Sequence, residues 1–391
     1  MRGGTGMRLR YGLNPQQTSA YATPVDPDRA PFRVLQGQPS YINLLDAANA
    51  WQLVREAERT LGLPAAASFK HVSPAGAAVA GPVDEAAARP YGLDPATVGA
   101  LTSAYVRARD ADPKSSYGDF VAVSHEVDAE LAALLSRVVS DGIVAPGYAP
   151  GVLEVLARKK NGRFLVMEAD PGFEPPGSEA REVFGLRIVQ DRDRVPLGPD
   201  ALTDVPVGTL TEEARADALL GLAVLRFTQS NSVCYVRGGQ TLGIGAGQQS
   251  RVDCTRLAGA KTDTWWLRRH PLVQGLDFRP EVRRQDRVNW RIRVVEGDLT
   301  EDERRRLRAA VTAGPGEPTP GERAAWLARL TGVTFASDGA LPFRDNVDHA
   351  RRHGVTTIAE PGGSVRSGEV EDACRELGVT LARTGLRLFH H

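Results

Sequence analysis

Short apolar segments of strand length alternate with longer amphipathic segments along most of this chain, and that alternation limits the folds open to it. The helical segments span 41–62, 95–110, 128–139 and 214–227, and Asn43 is a candidate cap for the first of them. The strand-length segments are 65–69, 118–123, 142–146, 164–167 and 233–236. Strands that alternate with helices predict α/β layers built around a largely buried sheet.

Two changes of texture divide the chain. Residues 168–212 are rich in Pro, Gly and Asp, and they form the best candidate for a segment between two units. Residues 270–330 carry dense Arg, Glu and Asp at helical spacing around a Pro/Gly break at 314–318, which predicts an inserted helical piece. The first unit is therefore expected over 1–200, and the second over 201–269 and 331–391. Their similar size is compatible with a duplication that the sequence does not prove.

The charge balance and the cysteines exclude several classes of protein. Lys+Arg and Asp+Glu each number 48, so no overall field would draw the 391-residue chain to nucleic acid or an anionic membrane. No apolar run has the length of a membrane span, and the residues from Met1 to Gly6 lack the apolar core of a signal peptide. Cys234, Cys254 and Cys374 are too few, and odd in number, for a disulfide framework, so a reducing cytoplasmic location is expected.

The pair Lys70-His71 ends a predicted strand, at the kind of position where open α/β sheets bind ligands. The lysine ammonium disfavours a second positive charge beside it, so a neutral, proton-accepting His71 is expected. Lys70 itself could stabilise negative charge that develops on a nearby oxygen. The alternative is an ordinary surface dipeptide, which the predicted tight turn at 74–76 makes less attractive.

Several polar or glycine-rich segments follow predicted elements. Residues 243–251 hold three alternating glycines and Arg251, which suits either an anion-binding nest or a tight strand-to-helix crossing. The runs 228–232, 342–346 and 361–364 suit either cleft-lining donors or plain loops. The zinc-deaminase, zinc-protease and nucleophile-elbow patterns do not occur, so no zinc site is expected. Cys234, in a predicted buried strand, is expected to be a core residue.

Seven segments, in order along the chain, together resemble one family, the AICAR transformylases. They are Arg10-Tyr11-Gly12-x-Asn14-Pro15-x-Gln17, Lys70-His71-x-x-Pro74-x-Gly76, Ser140-Asp141-Gly142, Gln229-Ser230-Asn231-Ser232, Gly243 to Arg251, Pro342-Phe343-Arg344-Asp345 and Arg387-Leu388-Phe389-His390-His391. The resemblance implies two related cytidine-deaminase-like α/β subdomains with a small helical insert. It also implies formyl transfer from 10-formyltetrahydrofolate to the 5-amino group of AICAR, in a homodimer with active sites at the interface.

The resemblance assigns roles to matching positions. His71 matches the general base and Lys70 the transition-state stabiliser, in agreement with the electrostatics of the pair. The nucleotide-contacting positions are Arg10, Tyr11, Gly118, Asp141, Asn231, Arg251 and Arg387. The folate-contacting positions are Val252, Asp345, Ser364 and Val365. The positions where some members hold a potassium ion are Val224, Thr228, Ser230, Ser232, Asp338, Leu388 and His390.

The sequence also departs from the family pattern. The chain starts a few residues before the first motif, without the upstream cyclohydrolase domain, so a separate IMP cyclohydrolase is an expected partner. Ser337-Asp338 is followed by Gly339-Ala340-Leu341, where the family has two aromatic residues, and Tyr117 and Gln16 replace a usual Phe and His. Two alternatives therefore stay open. One is a paralogous formyltransferase for a related azole carboxamide ribotide in nucleoside secondary metabolism, and the other is a catalytically silent nucleotide-binding subunit.

Overall fold

The computed structural model describes residues 6–313 and 316–391, so most of the N-terminal segment compared with a signal peptide, and part of the 314–318 break, lie outside the described residues. The strands are β1 (Met7–Arg8), β2 (Tyr21–Ala22), β3 (Phe32–Gln36), β4 (Ala65–Lys70), β5 (Ser73–Val79), β6 (Asp119–Val123), β7 (Ser140–Ala145), β8 (Leu165–Ala169), β9 (Ser178–Val183), β10 (Leu186–Asp191), β11 (Asp204–Val207), β12 (Val233–Val236), β13 (Thr241–Gly245), β14 (Asp277–Phe278), β15 (Val311–Ala313), β16 (Val333–Ser337), β17 (Val355–Glu360) and β18 (Thr380–Arg383). The helices are α1 (Tyr41–Leu61), α2 (Glu85–Ala88), α3 (Ala100–Ala111), α4 (Ala129–Arg137), α5 (Val152–Ala157), α6 (Glu212–Arg226), α7 (Arg251–Leu267), α8 (Pro271–Gln274), α9 (Arg284–Glu296), α10 (Glu301–Ala310), α11 (Pro320–Leu327), α12 (Asp345–Arg352) and α13 (Ser367–Leu377).

Two six-stranded sheets share one strand order. The first runs β3-β8-β7-β6-β4-β5 and the second β11-β18-β17-β16-β12-β13. In each sheet, the second, third and fourth strands of this order run parallel to one another. The fifth and sixth strands form an antiparallel hairpin. This confirms the predicted α/β class with two related units, and the repeated order supports the duplication that the sequence left open.

The two sheets meet along their hairpin edges, β5 and β13. The hydroxyl of Thr241 accepts the Ala77 N–H at 3.0 Å and donates to the Ala77 carbonyl at 3.1 Å. An antiparallel bridge joins Ala78 to Gln240 one residue further along. Because that bridge is antiparallel, the Ser73 end of β5 and the Gly245 end of β13 point to the same edge of the combined sheets.

Helices α1 and α6 pack on each other. α1 also packs on the first sheet and α6 on the second, so their apolar faces form one continuous core. Its buried residues include Leu53, Val54, Phe69, Leu220, Val224, Cys234 and Ile244. Cys234 is therefore a core residue, as predicted. Local sequence also fixes the limits of α1, with Gly62 in a left-handed conformation at its end. Ser40, rather than Asn43, is the N-cap, because Asn43 occupies the third position of a capping box and bonds back to Ser40.

The 270–330 region lies between α7 and β16. It contains helices α8, α9, α10 and α11 and a small sheet, β14–β15, that the sequence did not predict. The region buries its own apolar cluster, which includes Phe278, Val294 and Leu307. Trp266 and Trp326 stack with centroids 5.6 Å apart, and each indole N–H donates to the backbone carbonyl of the other, which ties α7 to α11.

Two predicted turns are strands. Residues 243–245 belong to β13, and residues 73–79 form β5, so the glycines there serve close packing rather than a turn. A Cβ on Gly243 would overlap the Ala258 carbonyl of α7, and one on Gly76 would overlap the Ala108 carbonyl of α3. The close approach of α7 to Gly243 fits the strand-to-helix crossing.

The 168–212 segment also contains more structure than its composition indicated. It includes an exposed hairpin, β9–β10, and the edge strand β11. Among the described residues, no helix combines the length and the apolar character needed to cross a bilayer.

Candidate active site

Lys70 and His71 stand at the tip of the β4–β5 hairpin. β4 is antiparallel to β6, so its carboxyl end lies beside the amino ends of β6 and β7. His71 and Val72 both have left-handed backbones, with φ of 55° and 63°. That conformation is unfavourable for a β-branched residue such as Val72, and strained backbones of this kind concentrate at functional sites. The turn leaves the imidazole of His71 exposed to solvent.

Asp46, on α1, stabilises this turn through a hydrogen bond. Its Oδ1 accepts the Val72 N–H at 2.7 Å, although the carboxyl group is almost entirely buried. Burial is the main cause that raises the pKa of Asp46 to about 7, and the Asp141 carboxylate acts in the same direction. The Val72 N–H and the charge of Lys70 act in the opposite direction and only partly offset this rise. Sequence reasoning missed this residue. The available signal was a lone acidic residue within the apolar stripe of α1.

The ammonium of Lys70 donates to the Tyr117 carbonyl and lies near Gly118 and Asp141. Gly118 follows with φ of 77°, and a Cβ there would lie 3.9 Å from Lys70 Nζ and 4.0 Å from Asp141 Oδ1. Asp141 also pairs with Lys160. The structure therefore brings together Lys70, Gly118 and Asp141, which the resemblance assigned to catalysis and nucleotide contact.

A buried polar network supports this end of the first sheet. Ser68 Oγ donates to Asp119 Oδ2 at 2.7 Å and lies 2.8 Å from Ser116 Oγ. Arg109 pairs with Asp119 Oδ1 at 2.7 Å, and both side chains are buried. The network fixes β4 and the loop before β6 in one arrangement, so the main chain at Lys70 and Gly118 is held rigidly.

A second cluster forms at the carboxyl ends of the parallel strands of the second sheet. Arg251, the first residue of α7, donates to the Asn231 side chain at 2.7 Å and to the Ser232 carbonyl at 3.1 Å, and it forms an ion pair with Asp338. The Asn231 amide in turn donates to the Gln249 carbonyl at 3.0 Å. The arginine and the asparagine assigned to the nucleotide are thus adjacent and held in fixed orientations.

The residues matched to the potassium positions also lie together. Ser230 and Ser232 hydroxyls donate to Asp338 Oδ2 at 2.6 and 2.9 Å. The Thr228 hydroxyl donates to the Val224 carbonyl at 2.7 Å. The C-terminal segment closes the group: Leu388 N–H donates to the Asp338 carbonyl at 2.9 Å, and His390 N–H to Ser230 Oγ at 3.1 Å.

The oxygen atoms of this group are hydroxyl, carboxylate and backbone carbonyl, the donor types that suit a hard cation. The C-terminal segment is held in place rather than frayed, because the Ser230 N–H donates to the His390 carbonyl and the His390 N–H donates to Ser230 Oγ. No group of three or more His, Cys, Asp and Glu side chains within 6–313 and 316–391 is arranged to hold a metal ion.

The positions matched to folate contacts follow neighbouring elements of the second unit. Asp345 begins α12 after β16, and Ser364 and the fully exposed Val365 follow β17, so all three lie at the same edge of the sheet. Val252 is the second residue of α7. This arrangement places the folate positions beside the Arg251–Asp338 cluster.

The remaining nucleotide positions are more scattered. Arg10 lies against the ring of Tyr11, with its guanidinium carbon 4.8 Å from the ring centroid, and Arg387 lies 4.9 Å from the ring centroid of Phe389. The Lys70–His71 turn and the Asn231 loop face the same edge of the combined sheets. No hydrogen bond or ion pair among the described residues connects them directly.

Comparison with known proteins decides the family. The model of the family described as "AICARFT/IMPCHase bienzyme" matches residues 2–261, about two thirds of the chain. The chain belongs to this family. The proteins named "Bifunctional purine biosynthesis protein PurH" from Roseobacter denitrificans, Ruegeria sp. and Magnetococcus marinus are 33%, 32% and 32% identical to it. The aligned regions cover 100%, 98% and 98% of this chain and 61%, 59% and 59% of the relatives, so the chain spans about three fifths of their length.

The AICARFT/IMPCHase match covers the first unit and the start of the second. Lys70, His71, Asn231 and Arg251 lie within the matched residues. Asp338, Asp345 and the C-terminal motif lie beyond them, where the alignments with the PurH proteins still extend. Both clusters are therefore parts of regions that this family shares.

Proposed function

We propose that this family member transfers the formyl group of 10-formyltetrahydrofolate to the 5-amino group of AICAR, giving formyl-AICAR and tetrahydrofolate. The observation that carries the proposal is the exposed His71, held in a left-handed turn next to Lys70, whose ammonium lies near Gly118 and Asp141. The family description and the PurH relatives support the choice of substrate.

The chemistry needs both members of the pair. The amine of AICAR is conjugated into an electron-poor ring and is a poor nucleophile, so a base must remove its proton as it attacks. The amine nitrogen bonds to the formyl carbon, and His71 takes the N–H proton. The former carbonyl oxygen becomes an oxyanion that Lys70 stabilises. The bond from that carbon to N10 of the folate then breaks, and N10 leaves with the proton that His71 held.

The nucleotide and the folate would bind across the two clusters. Arg10, Arg251 and Arg387 suit the ribotide phosphate, since guanidinium groups donate paired hydrogen bonds to phosphate. Val252, Asp345, Ser364 and Val365 would contact the folate. The oxygen set around Asp338 would hold a potassium ion, which supplies a fixed positive charge that organises the C-terminal segment beside Arg251.

A homodimer with active sites at its interface is part of the proposal. The two clusters lie at one edge of the combined sheets without a direct contact, which suits completion of each site by a second copy. The β9–β10 hairpin supplies an apolar surface for that contact, since Phe184, Leu186 and Ile188 are all exposed. Light scattering on the purified chain, with and without Phe184→Asp, tests this point: a monomeric wild type overturns it.

The product must be consumed, because formylation of so weak an amine is close to thermoneutral. An IMP cyclohydrolase, the second activity in the family description, is the proposed consumer. The cytoplasm, where purine nucleotides are made, is the proposed location.

The deciding experiment is a formyl-transfer assay that follows tetrahydrofolate release with AICAR as acceptor. His71→Ala is expected to lower turnover by about 10²–10⁴-fold, the usual contribution of a positioned base. AICAR binding by the variant should stay within about twofold of wild type, because the proposed nucleotide contacts lie on other residues. His125→Ala, another exposed histidine in the first unit, is the matched control.

Wild-type protein that binds folate without turning over AICAR would contradict the proposal and direct attention to related azole carboxamide ribotides. Equal loss of binding and turnover in His71→Ala would mean that the histidine is structural.

A further inference from the structure

A cleft of about 580 Å³ separates the helical insert from the first unit, away from both clusters described above. Its charged lining is unbalanced. Five arginines, Arg89, Arg283, Arg284, Arg287 and Arg291, face two carboxylates, Asp277 and Glu281. We call the cleft that these five arginines line the arginine cleft. Together with the two carboxylates, the five arginines give it a net charge of +3.

The cleft arginines make no ion pair among the residues that the structure describes, and neither do the two carboxylates. Four of the five, Arg89, Arg284, Arg287 and Arg291, donate instead to neutral backbone carbonyls. Arg89 donates to Gln274 at 2.8 Å, Arg287 to Val282 at 2.8 Å and Arg291 to Leu276 at 3.1 Å. These bonds fix the side chains without neutralising their charge, and Nε of Arg291 is buried without a partner among the described residues.

Without a bound anion, the clustered positive charge of the arginine cleft destabilises the protein. Arg284, Arg287 and Arg291 recur at intervals of three and four residues on one face of α9, where like charges repel one another. Burial, and after it the charges of Arg89 and Arg287, lower the pKa of Arg291 to about 10, so the group is still a cation at neutral pH. A bound anion would relieve this repulsion.

The N-terminus of α9 also lines the arginine cleft. Arg283 is its N-cap and makes no side-chain capping bond, whereas α10 and α11 of the same insert begin with Thr300 and Thr319 capping boxes. The first N–H groups of a 13-residue helix add partial positive charge to that of the guanidinium groups. The cleft also has apolar walls, formed by Phe278, Val282 and Val288.

From these observations we infer that the arginine cleft binds a phosphorylated small molecule with two or more phosphate groups and a flat apolar portion, the chemistry of a nucleoside di- or triphosphate. Guanidinium pairs and helix N–H groups match phosphate oxygens, and the apolar wall matches a base. The walls come from the insert and from Arg89 and Pro90 of the first unit, so the ligand would join these two parts of the molecule. The inference is independent of the formyl-transfer proposal.

Calorimetric titration of the full chain with ATP, and separately with inorganic tripolyphosphate, tests the inference. Both are expected to bind. The double variant Arg283→Glu/Arg284→Glu should bind both about 10–100-fold more weakly, since a hydrogen bond to a charged group contributes about 1.5–3 kcal/mol. Arg308→Glu, an exposed arginine of the same insert outside the cleft, should bind as wild type does.

Saturating AICAR should leave both affinities unchanged. Equal binding by wild type and the double variant would overturn the inference, as would displacement by AICAR, which would place the anion in the nucleotide site. Arg283 and Arg284 are exposed, and thermal unfolding checks that the double variant is folded. If it is not, Arg284→Gln replaces it, with at least fivefold weaker binding expected and unchanged binding overturning the inference.

Discussion

Oδ1 of Asp46 accepts the Val72 N–H at 2.7 Å, and this hydrogen bond links helix α1 to the turn that carries His71. His71 and Val72 are both left-handed, so their conformation must be maintained by contacts rather than by intrinsic preference. The bond is enclosed, since Asp46 is only 5% exposed. The position of the proposed base therefore depends on a residue 25 positions earlier in the chain, on another element.

Removing the acceptor should disturb the turn, and restoring it should rescue activity. Asp46→Ala leaves the Val72 N–H unsatisfied and is expected to lower kcat by about 10-fold or more, because a buried unmade hydrogen bond costs about 1–3 kcal/mol. Asp46→Asn keeps an oxygen acceptor and should retain most of kcat. Steady-state kinetics on both variants give the answer, with KM for AICAR expected to change less than kcat.

Glu58→Ala, on the same helix and without a side-chain bond among the described residues, is the control for this pair. Equal kcat in Asp46→Ala and Asp46→Asn would refute a role for the accepted hydrogen bond.

Asp46 should also make stability depend on pH. Its pKa rises from 3.8 to about 7 on folding, so the folded state holds the proton more tightly than the unfolded state. The stability that this provides is fully present below pH 3.8 and is lost as the pH rises through about 7. Asp46→Asn resembles the protonated form at every pH. Its free energy of unfolding relative to wild type should therefore increase between pH 5 and pH 8, by on the order of 2–4 kcal/mol.

Urea unfolding at pH 5, 6, 7 and 8 measures this difference. A difference that stays flat with pH would mean that Asp46 is ionised in the folded protein throughout this range.

Lys70→Arg should be a poor enzyme although it keeps the charge. The ammonium is a compact group that donates to the Tyr117 carbonyl, and it lies near Gly118 and Asp141. A planar guanidinium is wider and directs its donors differently. We expect kcat to fall at least 10-fold with folding unaffected, as measured by the formyl-transfer assay and by thermal unfolding. Activity near that of wild type would remove any special role for the ammonium.

The ion pair between Arg251 and Asp338 should be essential for stability. Both side chains are buried, with exposures of 7% and 0%. Asp338→Asn would leave the guanidinium without its counter-charge, and breaking a buried pair costs about 3–5 kcal/mol. Urea unfolding is the measurement, and Asp253→Asn, an exposed residue of α7, is the control. A loss below about 1 kcal/mol would show that solvent screens the pair.

Potassium should stabilise the folded protein if the oxygen set around Asp338 binds it. A ligand that binds only the folded state raises its stability in proportion to the logarithm of its concentration. We expect a higher Tm in KCl than in choline chloride at equal ionic strength, and a smaller difference in Ser230→Ala. The same Tm in both salts would count against a potassium site.

The alternation of apolar and amphipathic segments was sufficient to predict the α/β class, because a strand such as Asp119–Val123, with four successive apolar residues, buries both of its faces only inside a sheet. It was insufficient where glycine was taken as a turn signal. Gly76 and Gly243 lie within strands because α3 and α7 approach the backbone closely there, and that requirement depends on tertiary packing.

The candidate site was predicted in the same uneven way. Lys70-His71 and Asn231 lie in local motifs, so their residue types and spacing were visible. The role of Asp46 was not visible in the sequence, because it depends on a contact with Val72, which lies on another element. The arginine cleft was hidden for a related reason: Arg89 precedes α9 by almost 200 residues, and only the folded chain brings them together.

The continuous core beneath α1 and α6 has a consequence for dissecting the chain. Leu53 and Phe69 belong to the first unit and Leu220 and Cys234 to the second, yet they are buried in one cluster. A cut in the segment before α6 would expose half of that cluster on each fragment. Neither fragment should then remain monomeric and soluble by itself, whereas co-expressed fragments should recombine. The two halves repeat one topology, but with a shared core they should unfold as a single cooperative unit.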